Sequence, residues 1–317
     1  MTELVLIAVC TRRRPQMLAK CLMSLLEQHV PLPNVQLQIL VVENDDVAKV
    51  KQQSLALNGA SPFPLHYVQE SNQGLSHARN RALSEALAHG AGWLAFIDDE
   101  VAEPQWISEL YRVAQALQAD VVRGPVKYHY PPEDNWAHLR DTGRKTPLLE
   151  GTRIAEGATN NILFSRRLFA KEGMNLHFDL RLNFTGGEDK LFFLEAHTAK
   201  AHMVFAPTAL VHEFVPLSRC SLAMLWRDKA RLASNSILIE RDILMQSASN
   251  KSYWLRAWKE SVNAFKHMIR ATKSLLRHDG QAKRHTLKSM LALARVQGIL
   301  AGLFKHQQEA YRQIHGH

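Results

Sequence analysis

Ala91-Gly92-Trp93-Leu94-Ala95-Phe96-Ile97-Asp98-Asp99-Glu100 is the stretch on which the fold turns. Its apolar centre, rich in aromatic and β-branched side chains, reads as a buried strand. That strand ends abruptly in three acids. Adjacent carboxylates repel one another, and a divalent cation is the local means of holding them together. Hard oxygen ligands suit Mg²⁺ or Mn²⁺, which in turn suit a diphosphate. Acids also favour a helix start, and Pro104 marks one nearby. Both roles fit the stretch taken alone.

On its N-terminal side the sequence alternates. Apolar runs at 4–10, 38–43, 64–69 and 93–97 read as strands. Helical patterns fill 15–28, 46–57 and 75–89, with Pro15 opening the first and Gly90 just past the last. Such alternation predicts βαβ units, an α/β fold and a mostly parallel sheet. Ligands of these sheets bind beyond the carboxyl ends of the strands. Cys10-Thr11-Arg12, Glu43-Asn44-Asp45 and Asp98-Asp99-Glu100 therefore fall along one rim.

Beyond the acids the pattern predicts a helix at 104–117, a strand at 119–128 and a loop or lid over 129–156. It then predicts a strand at 159–164, a helix at 187–199 and a strand at 201–207. Residues after 217 read as helical throughout, which divides the chain into a catalytic region, 1–217, and a helical extension, 218–317.

Charge follows the same division. The 317 residues carry a net +9. From Arg219 onward there are 18 Lys and Arg against 6 Asp and Glu, so the extension holds +12 and the rest −3. That asymmetry points to an anionic partner for the extension. Three cysteines without metal-like spacing suit a reducing compartment. No apolar run is long enough to span a bilayer, and Met1-Thr2-Glu3 leads directly into a strand without a secretory pattern. The expectation is a cytoplasmic protein. Zinc-protease, phosphate-loop and nucleophile-elbow motifs are all missing from the sequence.

Five pieces in order then make a resemblance specific. They are Val9 to Pro15, Val41 to Asp45, Asn72 to Asn80, Phe96 to Glu100, and Gly186-Gly187-Glu188-Asp189-Lys190. Together, over roughly 3–215, they resemble family 2 glycosyltransferases, most closely the bacterial polysaccharide and lipopolysaccharide branch. The resemblance implies a GT-A fold (a Rossmann-like, mostly parallel sheet flanked by helices), a nucleotide-sugar donor, a divalent metal and inversion at the anomeric carbon.

It also implies roles. Thr11, Arg12, Glu43, Asn72, Gly74, Arg79 and Asp98 stand at the nucleotide site. Asp98, Asp99 and Glu100 occupy the position of the Asp-x-Asp metal motif, with Glu100 replacing the commoner Asp. His212 stands where a His completes the metal shell in related enzymes. Asp189, with Glu188 beside it, matches the general base that takes the acceptor proton. Each has a plainer reading: Thr11 as a turn cap, Arg79 in a surface ion pair, Glu188 and Asp189 as helix-start acids, His212 as a surface residue. Asn160 and Asn161 suit either the sugar side of the site or a turn.

In the extension, Trp254, Trp258, Phe265, Met268, Leu275 and Leu276 interleave with Arg256, Lys259, Lys266, Arg270, Lys273 and Arg277. A second such stretch is 287–304. Basic amphipathic helices of this kind suit the anionic inner face of a membrane. The expected partners are thus a nucleotide sugar, which the resemblance implies is UDP-linked, a lipid-linked glycan acceptor and that membrane surface, with no nucleic acid. A sugar nucleotidyltransferase and a non-catalytic basic adaptor are the alternatives. The first lacks its Gly-rich loop, because 11–15 contains no Gly; the second leaves the acids without a purpose.

Overall fold

The structure, a computed structural model, describes residues 3–30, 34–59, 61–140, 148–244 and 250–304. Part of the expected 129–156 loop and the end of the extension lie outside them.

A continuous apolar run makes a strand that is buried on both faces, as in parallel sheets. Such runs build most of β1 (Glu3–Thr11), the second half of β2 (Val35–Glu43) and β4 (Trp93–Ile97), while β3 (Leu65–Gln69) is a mixed edge strand with only Leu65 buried. Helices α1 (Pro15–Leu26), α2 (Lys51–Asn58) and α3 (Leu75–Ala88) connect them. Next come β5 (Val101–Ala102), α4 (Trp106–Ala116), β6 (Val121–Arg123), β7 (Val126–His129) and β8 (Asn161–Ser165). Helix α5 (Glu188–Thr198), β9 (Met203–Phe205) and β10 (Val211–Phe214) complete the α/β part.

Seven strands form one sheet in the order β3-β2-β1-β4-β8-β6-β9, and only β8 runs against the others. Apolar clusters fill both of its faces. Register aligns the strand ends: Thr11 pairs with Glu43, Glu43 with Gln69, and Val9 with Ile97. The rim anticipated from the sequence is therefore present.

Three expectations change. The single strand at 119–128 is two, because the chain turns at Gly124-Pro125. A Cβ on Gly124 would lie 2.0 Å from the Ala209 carbonyl, so only glycine fits there. The second half, β7, leaves the main sheet and joins β10 and β5 in a separate three-stranded sheet. β10 itself was not anticipated as a strand. Helix α2 begins five residues later than expected, after a turn that Glu43 organises.

The extension folds into α6 (Leu222–Leu238), which runs into a π-helical turn at Ile239–Ile243, then α7 (Asn250–Arg277) and α8 (Ala282–Leu303). α8 is the centre of this bundle. Gly298 and Gly302 let it press on α6: a Cβ on Gly298 would meet the Ala230 carbonyl at 2.1 Å. Its apolar face is therefore turned inward, unlike the interfacial helix expected at 287–304. α8 also packs through Leu287 and Leu291 on Ala137 and Cys220, joining the bundle to the α/β part. Among the described residues no helix is long and apolar enough to cross a membrane.

Candidate active site

Past β1 the chain places three arginines on the rim, and each has a partner. Arg12 donates to Gln73 Oε1 at 2.6 Å, Arg13 to Asp45 at 2.6 Å and Arg14 to Asp99 at 2.6 Å. Arg13 sits in the left-handed region, φ 55°, an uncommon conformation for a residue with a side chain. Its guanidinium holds the Asp45 carboxyl well below the usual range. Thr11 is buried, and its hydroxyl has no hydrogen-bond partner.

Glu43 is fully buried at the end of β2. It accepts the backbone N–H groups of Lys49 and Val50, at 2.8 and 3.2 Å, and the Tyr67 hydroxyl at 2.6 Å. Its carboxylate thus shapes the entrance to α2. Asn44 organises the neighbouring loop, donating to the carbonyls of Glu70 and Asn72 and accepting from the Gly74 N–H at 2.6 Å.

Gly74, placed at the nucleotide site by the resemblance, is a close-approach residue, and the group that approaches it is Asn183. A Cβ there would meet Asn183 Oδ1 at 2.0 Å, and its φ of +129° disfavours any side chain. Asn183 Oδ1 caps α3 by accepting from Ser76 N–H at 3.1 Å, while its amide donates to the Gln73 carbonyl at 2.7 Å. Asn183 had no signal in the sequence: its partners lie more than a hundred residues away.

Capped in this way, α3 aims Arg79 between two acids. The buried Arg79 pairs with Glu188 through Nη1, and its Nη2 lies 3.8 Å from Asp98 Oδ1. Burial opposes its charge, but Glu188, Asp98 and Asp189 outweigh that and raise its pKa. Glu188 is also buried, which lifts its carboxyl to about 7 against the pull of Arg79. Asp98 is raised by its recessed position and by Asp99 and Asp189, with Arg79 opposing. Asp189 is half-buried, and its Oδ1 accepts only the following backbone N–H, that of Lys190, at 2.7 Å.

Glu100 is more deeply enclosed. Burial, with the like charges of Asp98, Glu213 and Asp99, pushes its carboxyl well above the usual range. One oxygen of Glu100 and one of Asp99 are buried without a hydrogen-bond partner.

His212 lies inside β10 rather than after a strand, and both ring nitrogens are engaged. Nε2 meets Glu103 at 2.7 Å, and Nδ1 meets His129 at 2.7 Å. The next residue, Glu213, is the one whose charge reaches Asp98 and Glu100. Alternation along a strand explains this, since consecutive side chains point to opposite faces. Recognising β10 as a strand would have drawn attention to Glu213. Asn161 is consumed structurally: it donates to the carbonyls of Pro125 and Ala209 at 2.8 Å and accepts from the Trp106 indole at 2.7 Å.

The structure thus joins Asp98, Arg79, Glu188 and Asp189 into one constellation, with Asp99 and Glu100 behind it. Glu43 and His212 are committed to other partners. Among the described residues no three His, Cys, Asp or Glu side chains converge as a ready metal cage.

A carboxylate-rich rim crossed by a buried arginine thus lies at the carboxyl ends of a mostly parallel sheet, where such folds bind ligands. Residues 6–180 match the family described as Glycosyl transferase family 2. Over 313 residues, 97% of this chain and 96% of the relative, the sequence is 32% identical to the succinoglycan biosynthesis protein ExoM of Rhizobium meliloti strain 1021. The chain belongs to glycosyltransferase family 2 and is a glycosyltransferase. Its fold is GT-A, similar to S. aureus TarS 1–349. The TarS complex with UDP-GlcNAc superposes with a TM-score of 0.52, at 14% identity, over 93% of this chain and 92% of that one. The complex with UDP gives 0.51 at 14%, over 95% and 91%. Family membership displaces the nucleotidyltransferase and adaptor alternatives.

Proposed function

We propose that the enzyme moves a hexose or N-acetylhexosamine, with inversion, from a UDP-sugar to a hydroxyl of a growing, lipid-linked glycan in polysaccharide biosynthesis. The observation that carries this is Arg79, which ties the strand-end acid Asp98 to the acidic turn at Glu188. Diphosphate side and acceptor side are thereby linked through one side chain. The relatives support the donor and setting: TarS has been crystallised with UDP and UDP-GlcNAc, and ExoM is named for succinoglycan biosynthesis.

Asp189 is the general base. Its carboxylate has little to occupy it, whereas Glu188 is buried against Arg79 and acts as the positioning acid. Asp189 takes the proton of the acceptor hydroxyl as that oxygen forms its bond to the anomeric carbon. The bond from that carbon to the diphosphate oxygen breaks on the opposite face, and UDP leaves with the electron pair. Arg79 and Arg12 are placed to offset charge on the nucleotide.

Mg²⁺ or Mn²⁺ fits the acids. Asp99 and Glu100 each have an orphaned oxygen, and burial with neighbouring like charges raises the carboxyls of Asp98 and Glu100, as expected where a cation's charge is wanted. Asp98, Asp99 and Glu100 would hold it; His212 would join only by giving up Glu103 or His129. When bound, the metal neutralises the departing diphosphate.

The membrane reading narrows to α7. Trp254, Trp258, Phe265, Ile269 and Leu276 are exposed and recur at helical spacing along one stripe. Lys259, Lys266, Arg270, Lys273 and Arg277 follow the adjoining stripe and are exposed too. The opposite face, Tyr253, Ala257, Ala264 and Ala271, is buried. An exposed aromatic stripe flanked by cations suits the interface of an anionic bilayer at the inner face of the cytoplasmic membrane.

Thermal shifts with UDP-, GDP-, CDP- and TDP-sugars in Mn²⁺ test the donor, since a ligand of the native state raises its melting temperature. UDP-sugars are expected to give the largest rise. A larger rise with another nucleotide overturns the UDP assignment.

A further inference from the structure

The extension reaches into the acidic turn itself. Asn235, on α6, donates from Nδ2 to the Thr185 carbonyl at 2.6 Å and to the Gly186 carbonyl at 2.8 Å. Arg231, one helical turn earlier, donates to the same Thr185 carbonyl at 3.2 Å. Asn235, Arg231, Thr185 and Glu188 are all buried. These two carbonyls immediately precede Gly187-Glu188-Asp189.

The turn needs such a clamp because of its backbone. Gly186 and Gly187 both adopt positive φ, 80° and 92°. Consecutive left-handed glycines are conformationally loose. The Gly187 carbonyl joins α5 by accepting from the Leu191 N–H at 3.0 Å, but those of Thr185 and Gly186 lie before the helix and outside its ladder. α6 supplies the missing donors. It also covers the turn sterically: a Cβ on Gly187 would lie 3.3 Å from Ile239 and 3.6 Å from the Asn235 Cβ. Beyond the turn, Lys190 Nζ donates to Ser236 Oγ at 3.0 Å, and Leu191 packs with Ile239. On its other side the turn is held by the pair of Arg79 with Glu188, and Asn183, just before it in the chain, anchors the same segment to Gln73.

We propose that Asn235, with Arg231 beside it, is a positioning residue for the reaction: the C-terminal bundle sets the geometry of the Glu188–Asp189 turn through this amide. The inference rests on the proposed role of that turn in proton transfer. It makes α6 part of the catalytic apparatus, and the boundary expected at 217 separates charge rather than function. Reacting groups displaced by about 1 Å can lose on the order of 100-fold in rate, so a clamp on two carbonyls is enough to matter.

The test uses the full chain and reads UDP release from UDP-glucose, UDP-galactose and UDP-N-acetylglucosamine. Asn235→Ala removes both hydrogen bonds, whereas Asn235→Ser keeps one donor. Leu225→Ala is the control, because it loosens α6 in its packing on Leu287, away from the turn. In Asn235→Ala, kcat is expected to fall at least ~10-fold with donor KM little changed, with Asn235→Ser in between. Leu225→Ala should lower the melting temperature and leave kcat near wild type. Equal kcat in wild type and a folded Asn235→Ala overturns the proposal, as does an equal loss in Leu225→Ala. Should Asn235→Ala fail to fold, Asn235→Ser decides by the same split. Asp189→Asn and Glu188→Gln are assayed in parallel. If both retain wild-type turnover, the turn has no chemical role and both proposals fall; if they lose it and Asn235→Ala does not, only the clamp falls.

Discussion

Arg79 and Glu188 meet through an ion pair buried on both sides, between α3 and the first turn of α5. Removing one member of such a pair leaves an uncompensated charge, at a cost of about 3–5 kcal/mol. Arg79→Ala is therefore expected to lower unfolding stability on that scale in a denaturant melt. Adding Glu188→Gln should recover part of the loss, because a neutral amide needs no counter-charge. If the double variant is less stable than Arg79→Ala, the pair is not the source of the effect.

The raised carboxyl of Glu188 makes stability depend on pH. Its value rises from the usual 4.5 to about 7, mainly through burial. The folded protein then keeps a proton that the unfolded chain has released between those values. This contribution is full below the unfolded value and is lost as pH rises through the folded one. Glu100, also raised by burial, acts in the same direction. Melting temperature without added metal should fall between about pH 5 and pH 8, less steeply in Glu188→Gln. A variant with an unchanged slope would show that Glu188 titrates normally.

Metal should matter most at the strand-end acids. Replacing Asp98 or Glu100 with Ala is expected to abolish the Mn²⁺-dependent part of the UDP thermal shift and leave the fold intact. Unchanged metal dependence in both variants would reduce the cluster to a helix-start feature.

Gly74→Ala tests the packing beneath Arg79. The added Cβ collides with the Asn183 amide, and the backbone there is strained for any side chain. A loss of about 1–3 kcal/mol is expected. UDP release should fall as well, since Asn183 caps the helix that carries Arg79. A variant of wild-type stability would mean that the loop has another conformation available.

Binding to anionic vesicles should depend on α7. Each Lys or Arg near such a surface contributes about 1 kcal/mol, and salt screens it. Full-length enzyme is expected to sediment with anionic vesicles at low salt. The double substitution Trp254→Ala, Trp258→Ala should weaken this without lowering the melting temperature, because both side chains are exposed. Self-association through α7, with no vesicle binding, would assign the stripe to a second copy of the chain.

Much of this was legible in the sequence, for identifiable reasons. β1, the second half of β2, and β4 are continuous apolar runs, so their ends, and the acids on them, could be placed on one rim. Glu188 and Asp189 stood out because Gly186 to Lys190 is one of the five pieces that carry the family resemblance. What escaped depends on long-range contacts. Asn183 caps α3 by accepting from Ser76, 107 residues earlier in the chain. Glu213 reaches the acids only because 211–214 is a strand in a second sheet. That the apolar face of α8 packs inward is not legible in the sequence, because Gly298 and Gly302, which allow α6 to approach, carry no amphipathic signal. Asn235 was invisible because its partners are backbone carbonyls.

The most direct test of the proposed chemistry is Asp189→Asn. The amide is nearly isosteric but cannot take a proton at neutral pH. UDP release from the best donor should fall at least ~100-fold, the usual scale of general-base catalysis, while the UDP thermal shift stays as in wild type. Turnover comparable to wild type in this variant would contradict the assignment.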